Sequence, residues 1–381
     1  MSSPTTLTPT LTDGTITLRR HTLADVDGIV EQATDEMSQR WTMVPRGYTR
    51  QDAVGFVEQI ASEWADPRGK RFWAIEVTGV DGRPRFGGTV DLRPGEAWDH
   101  ASIGFGLHPA ARGQGAMSRA VRLVATHAFE QGPWGRPLNR IHWRAIAGNW
   151  GSRRVAWATG FTFHGTLPGT HPNVRDPQGP SLDSWHASLA AGEAMHPRLP
   201  WFEAPLLEDG AIRLRAWRES DVAALEERND PTHWFPPQAL LSADTFDAWL
   251  ARRHELMASG SAIEWAIADG ATDRALGHMT VFVRGGTLTG DVAEVGYQLV
   301  PSARGRGAAK AACRLAIAYA FATKQDGGLG LRRLTAGTAA DNAASNAVLR
   351  AVGFTEVGRE HATDELPDGT FGDGLIWELL R

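Results

Sequence analysis

Two short stretches of the chain hold residue types whose spacing suits chemistry. The first, Val295-Gly-Tyr-Gln-Leu-Val-Pro-Ser-Ala-Arg-Gly-Arg-Gly-Ala-Ala-Lys310, reads as a strand, a basic glycine-rich turn and the start of a helix. A helix start presents unpaired N–H groups at the positive end of its dipole, and glycines let an anion come close to the backbone. With Arg304 and Arg306 adding charge, this stretch is suited to cradle a pyrophosphate. It has neither the Lys-Ser/Thr pair of a nucleotide-hydrolysing loop nor the Gly-x-Gly-x-x-Gly of a dinucleotide fold. The second stretch, Asn342-Ala-Ala-Ser345-Asn-Ala-Val-Leu-Arg-Ala-Val-Gly353-Phe354, reads as a helix capped by Asn342, with Ser345 in its first turn and Gly353 at its end. A capping residue at a cleft can also bind a ligand, so both roles stay open for Asn342.

Both stretches occur twice. Gly104, Pro109, Arg112, Gly113 and Gly115 precede Gly296, Pro301, Arg304, Gly305 and Gly307 by 192 residues, and Asn149, Ser152, Gly160 and Phe161 precede Asn342, Ser345, Gly353 and Phe354 by 193. Nearer the N-terminus, Gly14-Thr-Ile-Thr-Leu-Arg19 with Asp25 matches Gly210-Ala-Ile-Arg-Leu-Arg215 with Asp221 at an offset of 196. Matching punctuation at a nearly fixed offset marks a fused duplication. The reading gives an N-terminal domain over 1–192, a linker over 193–207 containing Pro197 and Pro200, and a C-terminal domain over 208–381. In each copy a strand leads into helical segments, then two or three strands, the glycine turn, a helix (117–129 and 308–321), a strand, a helix and a final strand pair. The expected fold class is α/β in the broad sense: two tandem α+β domains, each a mixed, mostly antiparallel sheet flanked by helices.

Arg304-x-x-Gly307-x-Ala309 resembles the acyl-CoA signature of the GNAT N-acetyltransferases, in which Arg or Gln is followed by x-x-Gly-x-Gly or Ala. The first copy, Arg112-x-x-Gly115-x-Met117, departs at its last position, which places pyrophosphate binding there in question. The asparagine motif is similar to the RimJ/RimL-like branch, and the resemblance covers nearly the whole chain, twice. It implies acetyl-CoA as cofactor, held by the turns Arg112, Gly113, Gln114, Gly115, Ala116 and Arg304, Gly305, Arg306, Gly307, Ala308, Ala309, with Asn149 and Asn342 on the pantetheine arm. Backbone N–H groups near Leu107 and His108, and near Leu299 and Val300, would face the thioester carbonyl. Glu294, in Ala-Glu-Val, matches an element that supplies a catalytic carboxylate in some members; a solvated strand residue is the other reading. The first copy has Ser102 there. Many members place an acidic Tyr seven residues after the helix-starting Asn, where this chain has Leu349 and Ala156, and none of its three tyrosines fits. Ser345 and Ser152 remain as proton donors, with His108 and Asp91 as substitutes in the first copy, or the thiolate leaves unassisted. The C-terminal copy is therefore the expected catalytic one.

Composition bounds the alternatives. A net charge of -5 gives no reason to expect a nucleic-acid or anionic-membrane surface, which disfavours an aminoacyl transferase using a tRNA donor. A non-catalytic acyl-CoA-binding scaffold is the other alternative, and the intact second signature argues against it. The single Cys313 lies in an Ala-rich helical stretch and reads as a small packed residue in a reducing compartment. No secretory signal, membrane span or metal site is read, so cytoplasmic residence is expected. The expected acceptor is a primary amine of a small molecule or a peptide N-terminus, with monomer and homodimer both open.

Overall fold

The computed structural model describes residues 8–79, 81–173, 175–176, 178–228, 230–234, 241–283, 291–366 and 368–381. The chain divides into two compact units after Arg198. The first contains β1 (Leu11–Thr12), β2 (Thr17–Arg19), α1 (Val26–Thr34), α2 (Glu36–Trp41), α3 (Arg50–Ala65), β3 (Arg71–Thr78), β4 (Pro84–Pro94), β5 (His100–Leu107), α4 (Ala116–Glu130), β6 (Arg140–Ile146), α5 (Trp150–Ala158), β7 (Thr162–His171) and β8 (Leu182–Ala190). The second contains β9 (Leu207–Glu208), β10 (Ile212–Arg215), α6 (Phe246–Ala258), β11 (Ala262–Asp269), β12 (Ala275–Val283), β13 (Val292–Leu299), α7 (Ala308–Phe321), β14 (Arg333–Ala339), α8 (Ala343–Ala351), β15 (Thr355–Glu365) and β16 (Phe371–Leu380).

Each unit is built on one eight-stranded sheet, in the orders β1-β2-β3-β4-β5-β6-β8-β7 and β9-β10-β11-β12-β13-β14-β16-β15. The two orders are the same path through space, strand for strand. All neighbours run antiparallel except β5 with β6 and β13 with β14, so the sheets are mixed as expected. A helix supplies the crossover that a parallel pair requires: α4 in the first unit and α7 in the second. Where the first unit forms α1, the matching second-unit stretch from Val222 finishes a 3-10 turn, Glu219–Ala224, and runs on to Arg228 without a helix.

Packing repeats along with topology. Trp73 and Trp265 are both fully buried at the centres of β3 and β11. A buried indole N–H needs an acceptor. Trp73 Nε1 finds the carbonyl of Pro9 at 3.0 Å, and Trp265 Nε1 finds that of Pro205 at 2.9 Å. Both acceptors lie ahead of their unit's first strand. Arg19 and Arg215 likewise each grip the matched acid, Asp25 or Asp221, through two nitrogens at 2.8–2.9 Å, fastening β2 and β10 to the turn that follows.

The segment read as a linker is held down at both ends. Met195 packs on the first core and its carbonyl accepts from Arg122 Nε at 3.0 Å. Phe202 packs on the second core, and its N–H donates to Met257 at 2.9 Å. Cys313 is 1% exposed, and burial pushes its thiol up to about 12, which fits a packing role. None of the described helices is long and apolar enough to cross a membrane.

Candidate active site

The one parallel junction in each sheet comes apart part-way along. β5 and β6 pair only from His100 with Arg140 to Ile103 with Trp143, and β13 and β14 only from Val292 with Arg333 to Glu294 with Thr335. On their other edges β5 stays paired with β4 as far as Leu107, and β13 with β12 as far as Leu299. Each strand therefore ends in several residues with one edge unpaired, and a slot opens between the diverging strands.

Alternation of the backbone decides which N–H groups face the slot. His108 N–H donates to Gly87 and Val300 N–H to Leu276, both at 2.9 Å, so these two point to the closed edge. The donors turned to the slot are those of the preceding residues, Leu107 and Leu299. This corrects the expectation for Val300 and His108. Val300 is instead a core residue, 6% exposed. His108 is tied to Glu31 at 2.9 Å, and its Nδ1 accepts the Ala110 N–H at 3.2 Å, which is a turn-capping role.

Beyond the slot comes the glycine turn. Gly113 and Gly115 have φ of 75° and 73°, and Gly305 and Gly307 of 74° and 80°. Glycine adopts this left-handed conformation without the steric cost other residues meet. Gly115 and Gly307 serve as N-caps with no side chain to offer, so the first N–H groups of α4 and α7 are left for an outside acceptor. A Cβ placed on any of the four glycines would meet nothing within 4 Å. Ala116 and Ala308, 3% and 5% exposed, turn inward beside them. Gln114 folds back to the Ala110 carbonyl at 2.9 Å, whereas its counterpart Arg306 is exposed.

Met117 does not obstruct the first turn. Its side chain is 3% exposed in the first core, and Ala309 occupies the matching core-facing place at 9%. At this position both side chains face the core. The signature arginines also differ from expectation. Arg112 Nη2 lies 2.5 Å from Asp35 Oδ2, and Arg304 Nη2 lies 2.7 Å from Asp230 Oδ2. Their hydrogen bonds count: the bond from Arg112 holds the Asp35 carboxyl below the usual range, and at Asp230 burial pushes upward but the Arg304 and Arg228 bonds outweigh it. Each signature guanidinium is matched by a carboxylate, so the turns present backbone N–H groups and, in the second unit, the exposed Arg306.

Across the slot, α5 and α8 begin alike. Asn149 (φ -77, ψ 71) and Asn342 (φ -77, ψ 69) accept the N–H of Ser152 and Ser345 at 3.1 and 3.0 Å through Oδ1. Their amide NH2 groups have no recorded partner among the described residues. The serine hydroxyls are engaged differently. Ser152 Oγ accepts from Trp143 Nε1 at 3.0 Å, whereas Ser345 Oγ shares a 2.9 Å hydrogen bond with the hydroxyl of Tyr297. Tyr297 reaches over from β13, and burial pushes its hydroxyl well above the usual phenol range. The sequence reading set Tyr297 aside, and the fold brings its hydroxyl to Ser345. Leu349 and Ala156, seven residues after the capping asparagines, are core residues at 0% and 4% exposure. Period-two alternation was the available signal: Ala293, Val295, Tyr297 and Leu299 share one face of β13.

Glu294 lies on the other face of that strand, half-buried, where β13 and β14 are still paired. Five residues separate it from Leu299, roughly 17 Å along a strand. Asp91 is buried against Arg93, with 2.6 Å between Oδ1 and Nε, and burial raises its carboxyl despite that arginine. The second unit has a buried cluster that sequence reasoning missed: Glu264 contacts Arg253 at 3.2 Å and His278 at 2.9 Å beneath α6.

Similar solved structures each span about one unit. RimJ of Mycobacterium smegmatis in complex with CoA-disulfide is 24% identical, covering 46% of this chain and 85% of its own, with a TM-score of 0.38. The ribosomal-protein-S5-alanine acetyltransferase from Vibrio fischeri is 20% identical over 46% of this chain and 96% of its own, with a TM-score of 0.39. The Microcin C7 self-immunity acetyltransferase MccE, in complex with acetyl-CoA and AMP, is 20% identical over 49% and 98%, with a TM-score of 0.41. No curated protein sequence matches the chain significantly. The family model described as an acetyltransferase (GNAT) domain matches twice, over residues 15–162 and 211–355. Those two matches take in both slots, both glycine turns and both capping asparagines, and the chain belongs to the GNAT acetyltransferase family with the domain present in two copies.

Proposed function

We propose that the protein is an acyl-CoA-dependent N-acetyltransferase, passing the acetyl group of acetyl-CoA to a primary amine of a small molecule or a protein N-terminus, and that the C-terminal domain carries the reaction. The observation that carries this reading is the convergence on one slot of an outward Leu299 N–H, an open glycine turn and a Tyr297–Ser345 hydroxyl pair. The residues fit the donor at both ends: the turn at Gly305 to Ala309 leaves backbone N–H groups and open space that would hold a pyrophosphate, and the Asn342 amide at the start of α8 would hold the pantetheine arm. Acetyl-CoA supplies an acetyl group already activated as a thioester.

The chain's residues then divide the work. Leu299 N–H donates to the carbonyl oxygen as negative charge grows on it, a contribution that strengthens toward the transition state. Glu294, too far along the strand to touch the amine directly, accepts the amine's proton through intervening water. As the carbon–sulfur bond breaks, Tyr297 gives its proton to the sulfur and is reprotonated through Ser345. In the first copy Phe105 and Ser102 stand at the places of Tyr297 and Glu294, and Ser152 is held by an indole. That copy therefore keeps the donor site without the hydroxyl pair or the carboxylate. A single buried cysteine and a net charge of -5 suit a cytoplasmic enzyme acting on small amines or peptides.

Release of free thiol with an amine panel tests the assignment. Glu294→Gln and Tyr297→Phe should each lower kcat by about 100-fold or more while leaving the KM for acetyl-CoA within about threefold. Full turnover in both variants would remove the C-terminal assignment.

A further inference from the structure

The same ion pair is built twice from different surroundings. In the first unit Asp35 joins α1 to α2, caps α2 by accepting the Ser38 N–H at 2.9 Å, and contacts Arg112. In the second unit the described residues after Asp230 form a short 3-10 turn, Thr232–Trp234, yet Asp230 stands 195 residues after Asp35 and contacts Arg304. Asp230 is also gripped by Arg228 at 2.7 Å, and Arg228 reaches Gln298 on β13. In both units the same arginine nitrogen goes on to the carbonyl at the strand's open end, Leu107 at 3.4 Å and Leu299 at 3.2 Å. Those are the two residues whose N–H groups face the slots.

We infer that Asp35 and Asp230 are positioning residues for the donor site: each holds the signature arginine as a strut between the segment ahead of β3 or β11 and the open strand end. The guanidinium braces the slot and does not serve as a ligand for the donor's phosphates. A flexible cation free to meet a phosphate would be left unpaired by the fold, whereas here each one is neutralised and turned back toward the strand. The inference rests on the acyl-donor reading of the slot.

The two roles predict opposite signs. If the arginine were an anion ligand, removing its aspartate would free it and tighten acetyl-CoA binding; if it is a strut, the same change loosens the slot and weakens binding. The test is calorimetric titration of acetyl-CoA into the full chain with matched changes in both copies: Asp35→Asn with Asp230→Asn, Arg112→Gln with Arg304→Gln, and all four together. The strut predicts that either pair weakens binding by about three- to tenfold and that all four are no worse than one pair, because coupled partners are not additive. It also predicts that the salt dependence of binding is unchanged, since no exposed charge pair with the ligand is lost. Asp35→Glu with Asp230→Glu, which keeps the ion pair, should recover most of the affinity, with thermal melting on the same samples to show that each is folded. Tighter binding in the asparagine pair, or a flatter salt dependence in the glutamine pair, overturns the strut. A wild-type chain that binds no acetyl-CoA would instead overturn the donor reading itself.

Discussion

His21 is 3% exposed, with Nε2 placed 3.0 Å from Thr89 Oγ1, and burial pushes its imidazole down to about 4 from the usual 6.5. The folded first unit therefore keeps this ring neutral at pH values where an unfolded chain would protonate it. Below pH 6.5 the unfolded state binds the extra proton, so stability falls as pH drops and levels off near 4. The second unit has Trp217 at the matching place, which does not titrate. Urea unfolding at about pH 7 and about pH 4.5 should show a loss that His21→Phe reduces; an identical loss in the variant would assign it to other groups. Residue-level chemistry of this kind was only half legible in the sequence. The Asn342 cap and the burial of Cys313 follow from neighbours a few positions away. The Tyr297–Ser345 bond and the Arg304–Asp230 pair join residues 48 and 74 positions apart, and only tertiary packing brings them together.

At the scale of elements, the two glycine turns agree in backbone to within a few degrees and lead into helices whose first N–H groups are unpaired. Nothing in that geometry separates the copies, because the Met117 side chain goes to the core. Calorimetry should accordingly count two acetyl-CoA sites per chain. Gly307→Val should remove one of them, since a β-branched residue is strained at a φ of 80°. A count of one in the unaltered chain would show that the first turn has lost its ligand. The turns, the strands that precede them and the helices that follow were readable because glycine, alternation and helical spacing act locally. The splay is not set locally and follows only from the family resemblance, since it depends on β6 staying with β8 and β14 with β16 while β5 and β13 hold to their other neighbours.

Over the whole molecule, duplication is visible in structure as well as sequence, and each unit is fastened to residues outside its sheet. A fragment begun at Leu207 would lack Pro205 and leave the Trp265 indole N–H buried without an acceptor, a loss of about 1–3 kcal/mol. A fragment spanning 199–381 should therefore unfold cooperatively at a higher urea midpoint than one spanning 207–381; equal midpoints would show that the indole finds water instead. The clasp also dates the boundary of the repeat. Pro9 and Pro205 are 196 positions apart, the same offset that separates Gly14 from Gly210. Whatever event doubled this gene copied the leader together with the sheet that depends on it, so the inherited module begins before its first strand.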